Sequence, residues 1–353
     1  MRHPAALLGL LCLVSCEPRP AVPEPGAPIG SGPMDSALLR LVELDRRIVD
    51  RPDDAALYAQ RARLFQGMDS SRRAIRDWER ALELDSSNAG FHLELGSLYY
   101  TSTLIDRASD QFERAIVLAP EDPEAKLRMA EIKLVRRDHP TAMKLVNDAL
   151  RIDPNLAHAY YLKGWIHKEM GDTGLAISSL RTAIEQDPEY YEAFIQLGIL
   201  HAAERDHLAK EYYQSALALK PWNVEAWYNL GMYYQESGQD SLALETYARM
   251  AEIDSMNPLA PYNSGFVRME YLGDTRAAVK DFTKALDLNT NYYQAWYNRG
   301  VALERLGSLD SAAADYQVAL VIRPDFDPAA EGLQRLASKG AYVKLLEERK
   351  GKP

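Results

Sequence analysis

The sequence predicts an all-α fold, an α-solenoid of about eight helix–turn–helix repeats with a capping helix at each end. Three observations predict it. Residues 55–326 divide into eight consecutive units, six of 34 residues, one of 33 and one of 35. Small residues recur at one place in both helices of the units, where they would let the two helices cross closely. Proline follows the second helix in five units, where it would end the helix and turn the chain into the next unit.

The first element, residues 1–15, is typical of a secretory signal. Arg2 precedes a leucine-rich stretch, residues 5–14, which is too short to cross a bilayer as a helix. The stretch ends in Leu13-Val14-Ser15-Cys16, which resembles the lipobox of bacterial lipoproteins. The resemblance implies cleavage after Ser15 and lipidation of Cys16. An ordinary signal peptide in which Cys16 is incidental is the alternative.

The next two elements are a tether and a cap. Residues 16–34 are rich in proline and predict an extended, semi-rigid spacer. Residues 35–54 predict an N-terminal capping helix, amphipathic from Ser36 to Val49. At the other end, residues 327–353 predict a C-terminal capping helix and tail, helical from Pro328 to Arg349. Caps are expected because the end repeats of a solenoid otherwise expose an apolar face.

The eight repeats between the caps share a small–large–small pattern. The second helix carries alanine at one place in all eight repeats, and a large apolar residue follows four positions later. The facing place on the first helix is glycine in six repeats and alanine in two: Gly96, Gly164, Gly198, Gly231, Gly265 and Gly300, with Ala62 and Ala130. This pattern resembles the tetratricopeptide repeat family over 272 of the 353 residues. The resemblance implies a right-handed α-solenoid whose first helices line a concave groove that holds extended peptides or partner helices.

Three repeats depart from the pattern. The third places Lys126 and Lys133 where bulky apolar residues usually stand, which predicts loose packing of its first helix. The fifth, residues 191–223, lacks one residue near 205–207, which predicts a tighter turn between its helices. The seventh carries Pro258 and Pro261, both expected in the first turn of its first helix, where a missing amide costs little.

The residues that face the expected groove become aromatic and apolar from the fourth repeat onward, with recurrent asparagines whose amides could bond a peptide backbone. Packing within the fold is the alternative role for them. Some relatives in this family bind a carboxylate through a lysine and asparagine clamp, but the matching places here hold Tyr161, Trp165, Tyr228 and Met232, so we expect no such clamp. The candidate partner-binding residues are Tyr161, Trp165, Tyr228, Asn229, Met232, Tyr262, Asn263, Phe266, Tyr297 and Asn298.

Composition and motifs disfavour several function classes. The formal net charge of −10 disfavours general binding to nucleic acid. The two cysteines, Cys12 and Cys16, both lie in the leader region, so the repeats contain no thiol for a nucleophile, a zinc site or a disulfide. The sequence has no Walker loop, G-x-S-x-G or H-E-x-x-H motif. We therefore expect no metal, no cofactor and no catalytic residue.

The sequence as a whole predicts a membrane-anchored, non-catalytic scaffold lipoprotein that binds a protein or peptide partner in its groove. An accessory subunit of an envelope enzyme, a secretion system or an outer-membrane assembly system is the alternative. The expected location is the bacterial cell envelope, facing the periplasm. Glu17 follows Cys16, and because some bacteria retain lipoproteins with aspartate at this place in the inner membrane, the outer membrane is favoured.

Overall fold

A computed structural model describes residues 33–338, and every regular element in that range is an α-helix. Residues 1–32 and 339–353 lie outside the described range, and with them the predicted signal peptide, Cys16, most of the tether and the end of the predicted C-terminal helix. The chain forms two compact regions that divide between Leu104 and Ile105. None of the helices between residues 33 and 338 is long and apolar enough to span a membrane.

The described part of the first compact region, residues 33–104, forms four helices: α1 (Pro33–Asp50), α2 (Ala55–Gly67), α3 (Ser71–Leu84) and α4 (Ala89–Thr101). The described part of the second, residues 105–338, forms fourteen: α5 (Ile105–Leu118), α6 (Pro123–Val135), α7 (His139–Ile152), α8 (Ala157–Glu169), α9 (Thr173–Gln186), α10 (Tyr191–Ala203), α11 (Leu208–Leu219), α12 (Val224–Glu236), α13 (Asp240–Ile253), α14 (Leu259–Glu270), α15 (Thr275–Leu288), α16 (Tyr293–Arg305), α17 (Leu309–Ile322) and α18 (Asp327–Ser338).

These helices pair as the repeat pattern predicts. Where both helices of a repeat lie in one compact region they contact each other, as α8 contacts α9, and each second helix also contacts the next first helix, as α9 contacts α10. First helices of neighbouring repeats also meet directly: α6 with α8, α10 with α12, and α14 with α16. The predicted all-helical repeat fold is confirmed.

The predicted small residues lie where two helices of a repeat cross. A Cβ atom added to Gly198 would lie 2.4 Å from Cε1 of Tyr213, and one added to Gly231 would lie 2.5 Å from Cε1 of Tyr247. A real Cβ never approaches an aromatic carbon so closely, so only glycine fits against these rings. The facing alanines of the second helices are completely buried: Ala74, Ala108, Ala142, Ala176, Ala209, Ala243, Ala278 and Ala312.

A hydrogen bond to the preceding loop recurs at the fourth residue of many first helices. Tyr160 donates its hydroxyl to the carbonyl of Pro154 over 3.1 Å, and Trp227 donates its indole N–H to the carbonyl of Pro221 over 2.8 Å. Lys126 fills the same place in α6, where its ammonium donates to the carbonyl of Pro120. The side chain of Lys126 is only 9% exposed, so the predicted loose packing of α6 is wrong. Its aliphatic stem replaces the bulky apolar residue, and its charge replaces the polar end of a tyrosine or tryptophan.

The turn between the two helices of a repeat needs one residue in the left-handed region. Four turns place glycine there, namely Gly171, Gly238, Gly273 and Gly307 at φ of 70–83°. Four others place a residue with a side chain there, which is strained because the Cβ approaches the following carbonyl. These residues are Asp69, Thr103, Arg137 and Arg205, at φ of 53–61°.

The missing residue of the fifth repeat shortens a helix rather than the turn. α11 has 12 residues, whereas α9 and α13 have 14, and the turn that leads into α11 runs from residue 204 to residue 207. Asp206 supports this late helix start, because its carboxylate accepts the amide of Leu208 over 3.1 Å and lies 2.8 Å from Nδ1 of His201. The prediction of a tighter turn is therefore wrong.

The prolines of the seventh repeat lie at the start of α14. Pro261 is in its first turn, as predicted, whereas Pro258 stands immediately before the helix as its N-cap. At the N-terminal end, Leu44 and Ile48 of α1 pack with Leu57 of α2. In α18, Ala329 and Leu336 are fully buried in one cluster with Tyr316 of α17.

Candidate partner-binding site

The ten candidate residues lie on four first helices of the second compact region. Two belong to α8, three to α12, three to α14 and two to α16. We call the surface formed by these helices and α10 the first-helix face. The first helices α14 and α16 contact each other, and there the candidate residues Tyr262 and Asn298 of different repeats form a hydrogen bond.

The candidate residues of α8 form an aromatic cluster with a loop residue. Trp165 is 39% exposed, and its ring meets Tyr161 edge-on with centroids 6.1 Å apart. Tyr161 also packs on Tyr190, at 5.3 Å between ring centroids. His158 links this cluster to the third repeat, with Nδ1 2.7 Å from the hydroxyl of Tyr190 and Nε2 2.8 Å from Oε1 of Glu131 on α6. The cluster is thus fixed by residues of two repeats, and Trp165 is its exposed edge.

The candidate residues of α14 lie deeper in the fold. Tyr262 packs on Tyr292 at 4.7 Å and on Phe282 at 5.9 Å between ring centroids, and its hydroxyl accepts the amide of Asn298 over 2.9 Å. Phe266 is half-buried and meets Tyr271 edge-on at 6.1 Å. Tyr262 therefore ties α14 to α16 in addition to lining the face.

The three asparagines differ in their accessibility. Asn263 is 6% exposed and donates its amide to the carbonyl of Leu259 in its own helix over 2.9 Å. Asn298 is 8% exposed and donates to Tyr262. Asn229 on α12 is half-buried, next to the half-buried Tyr228. Asn229 is therefore the asparagine of the three that is best placed to reach a ligand backbone.

Tyr297 packs on aromatic residues outside the candidate set. Its ring packs at 5.6 Å on Tyr316 and at 5.2 Å on Phe326, which belong to the second helix and the following loop of the last repeat. These contacts place Tyr297 at the packing interface with the C-terminal helix rather than beside Trp165.

Carboxylates surround the aromatic side chains. Burial, together with the negative charges of Glu192, Glu131 and Glu225 that a tyrosinate would face, raises the pKa of Tyr161 to about 12. The pKa of Tyr228 is raised by burial and by Glu236. Both tyrosines therefore stay neutral at ordinary pH and act as hydroxyl donors and aromatic faces.

The described residues contain no group of three or more histidine, cysteine, aspartate or glutamate side chains close enough to hold a metal ion. The face offers aromatic rings, a thioether, amides and carboxylates. Such side chains bind ligands through contact area, hydrogen bonds and charge.

One family model described as tetratricopeptide repeat matches residues 99–157, 207–258 and 270–328. A second model with the same description matches residues 157–190. Together the matches cover more than half of the chain. The chain belongs to the tetratricopeptide repeat family.

This tetratricopeptide repeat protein is similar to parts of larger proteins. It is 28% identical over 149 residues to anaphase-promoting complex subunit 3 of Schizosaccharomyces pombe, covering 42% of the chain and 22% of that protein. It is 24% identical over 336 residues to tetratricopeptide repeat protein 16 of Macaca fascicularis, covering 86% of the chain and 38% of that protein. The chain thus spans less than half of the length of these relatives. A solved structure, the C-terminal part of a TPR repeat-containing protein from Cytophaga hutchinsonii, aligns with a TM-score of 0.58 at 15% identity, covering 68% of this chain and 99% of that one.

Sequence reasoning about this tetratricopeptide repeat protein did not select the polar residues one helical turn before the groove aromatics. His158, Glu192 and Glu225 each lie three residues before Tyr161, Ile195 and Tyr228, respectively. The recurrent polar type at one place in three successive repeats is the signal that could have selected them, because residues three apart share a helix face.

Proposed function

We propose that this protein is a non-catalytic scaffold that binds a protein or peptide partner on the first-helix face of repeats four to eight. The observation that carries the proposal is Trp165. The core of each repeat consists of a small residue on the first helix, and an alanine and a large apolar residue on the second, so it does not need Trp165. Yet Tyr161 holds Trp165 in place with 39% of the residue exposed. A rigid, partly exposed tryptophan is a typical anchor of a protein interface.

Membership of a larger assembly fits this proposal. The relative from Schizosaccharomyces pombe is named as a subunit of a complex, and the aligned part is a minor share of its length. Repeats of this kind supply a surface for partners and carry no chemistry of their own. The partner of this chain is accordingly a protein or a peptide rather than a nucleic acid, to which a chain of net charge −10 is poorly suited.

Photocrosslinking tests the binding surface directly. Benzoylphenylalanine in place of Met232, on the first-helix face, should capture a partner in cells, whereas the same group in place of the exposed Leu175 on α9 should not.

Trp165→Ala should then weaken binding of the purified partner by about thirtyfold or more, as truncation of an interface anchor does. Trp222→Ala is the matched control, because Trp222 is exposed in the loop before α12. Equal capture at both positions, or an unchanged affinity of Trp165→Ala, would contradict the proposal.

The proposal includes an anchor: a lipid on Cys16 holds the scaffold at the outer membrane of a bacterial envelope, and the proline-rich residues 17–32 space it from the surface. The support is the lipobox resemblance at residues 13–16. We expect Cys16→Ala to give a folded protein that cell fractionation recovers in the soluble fraction. A mutant protein that stays membrane-bound after a salt wash would exclude lipid anchoring through Cys16.

A further inference from the structure

Among the first helices of the second compact region, α10 and α12 are the two that carry no lysine or arginine. They carry the carboxylates Glu192, Glu225 and Glu236. Several carboxylates on other first helices form ion pairs with arginine, as Glu131 does with Arg128 and Glu270 with Arg305. Glu192 pairs with Lys220 at 3.3 Å, but within residues 33–338 neither Glu225 nor Glu236 forms an ion pair.

Glu225 and Glu236 lie at the two ends of one stripe of α12. Residues 225, 228, 232 and 236 follow one another at intervals of three, four and four, which places them on a single face of the helix. Tyr228 and Met232 are half-buried between the two exposed carboxylates. The stripe therefore has an apolar middle and two negative ends, which are eleven residues and hence about 16 Å apart.

The carboxylates of the stripe act electrostatically on tyrosines of the first-helix face. Beyond the effect of burial, Glu225, together with Glu192 and Glu131, raises the pKa of Tyr161, and Glu236 raises the pKa of Tyr228. Desolvation raises the pKa of Glu225, since no cation offsets the loss of water around its carboxylate. A cation beside a carboxylate and an aromatic face gains from both.

We propose, resting on the proposed function, that the α12 stripe binds an extended partner segment with two lysine or arginine residues that flank an apolar centre. One basic side chain pairs with Glu225, three residues before Tyr228 on the same helix face, and the other pairs with Glu236. An extended chain rises about 3.3 Å per residue, so the two basic residues are about five residues apart. Asn229, which neighbours Tyr228, offers its amide to the backbone of such a segment, whereas the backbone groups of a helical partner would already be bonded within the helix.

Synthetic peptides test this inference on the purified full-length protein. The probes are fluorescein-labelled peptides of serine and leucine with two lysines five residues apart, the same peptide with glutamate for lysine, and an isomer with adjacent lysines. By fluorescence anisotropy, we expect the first peptide to bind about tenfold more tightly than either of the others, with an affinity that falls as salt is added.

Charge variants locate the effect. Glu225→Gln with Glu236→Gln should weaken binding of the spaced-lysine peptide about tenfold and remove the preference over the glutamate peptide. Glu185→Gln with Glu211→Gln, on the second helices α9 and α11, removes the same charge elsewhere and should leave the affinity within about twofold. All four glutamates are exposed, so both variants should keep the melting temperature of the native chain.

Three results would overturn the inference: equal affinity for the glutamate peptide, equal affinity for the adjacent-lysine peptide, or no effect of the α12 variant. Failure of the spaced-lysine peptide to bind at millimolar concentration would also overturn it. None of these results bears on whether the first-helix face binds a partner of other chemistry, which the crosslinking at position 232 decides separately.

Discussion

Gly231 lies where the two helices of the sixth repeat cross, and a Cβ there would stand 2.5 Å from Cε1 of Tyr247. Tyr247 is fully buried, so its ring cannot rotate away without displacing other core side chains. We expect Gly231→Ala to lower the free energy of unfolding by about 1–3 kcal/mol. Gly174→Ala on the surface of α9 is the control, since nothing lies within 4 Å of its added Cβ. Urea unfolding of both variants measures the difference, and equal stability would show that the core yields at this crossing.

Thr103 occupies a backbone conformation that favours glycine. It holds φ of 61° at the place where Gly171, Gly238, Gly273 and Gly307 stand in other repeats. A β-branched side chain is particularly unfavourable in this region. We expect Thr103→Gly to raise the free energy of unfolding by about 1 kcal/mol, and the converse change Gly171→Thr to lower it by at least as much. Thermal denaturation checks both signs, and a loss of stability in Thr103→Gly would mean that the threonine side chain contributes more than its backbone costs.

At the scale of elements, α18 completes the last repeat. Cε1 of Tyr316 faces Gly300 of α16, and Cε2 of the same ring faces Gly332 of α18, each where an added Cβ would lie 2.7 Å away. The ring is therefore enclosed from both sides by helices that approach closely. Deletion from Pro328 onward should uncover it, lower the melting temperature and promote aggregation. Unchanged melting and solubility of the truncated protein, measured by circular dichroism and light scattering, would contradict a capping role.

Across the second compact region, buried tyrosines link stability to alkaline pH. The pKa is raised by burial to about 12 for Tyr161 and Tyr262, and is also raised for the buried Tyr213, Tyr247 and Tyr316. The folded chain holds these protons more tightly than the unfolded chain, whose tyrosines titrate near 10. Their stabilising contribution is therefore complete below about pH 10 and is lost as pH rises from about 10 to 12 and beyond.

We expect the melting temperature to fall steeply above about pH 10, with buried tyrosines ionising only as the chain unfolds. Absorbance at 295 nm and circular dichroism, followed together, measure this coupling. Tyr247→Phe should make the fall of the melting temperature less steep, because it removes one tyrosine whose pKa is raised. Phenylalanine fits this place, since Phe282 occupies it in the next repeat. Tyrosine ionisation that is complete near pH 10 in a chain still folded would contradict the prediction.

The sequence by itself determined the repeat fold of this protein, because its signals are local and occur many times. Each repeat has a small residue at the helix crossing, an alanine opposite it and a large residue four positions after that alanine. The spacing of these residues along the chain is fixed, and steric exclusion permits few alternatives at such contacts. A repeat that departs from the pattern does not change the predicted fold, because the other repeats carry the same signal. For this reason the helix pairs and their crossing residues could be predicted without the structure, as could the first-turn position of Pro261.

The tertiary structure alone decided how individual side chains are used, since this depends on neighbours that are distant in the sequence. Helical phase places Asn229, Asn263 and Asn298 alike, yet the structure buries the last two, with their amides bonded within the fold. A charged residue at a core place suggested loose packing, but the ammonium of Lys126 reaches a loop carbonyl. Glu225 and Glu236 share one face with Tyr228 and Met232 because α12 is helical. The packing of α12 in the fold leaves both carboxylates exposed. Side-chain partners across repeats, and not the local pattern, determine which residues remain available to a ligand.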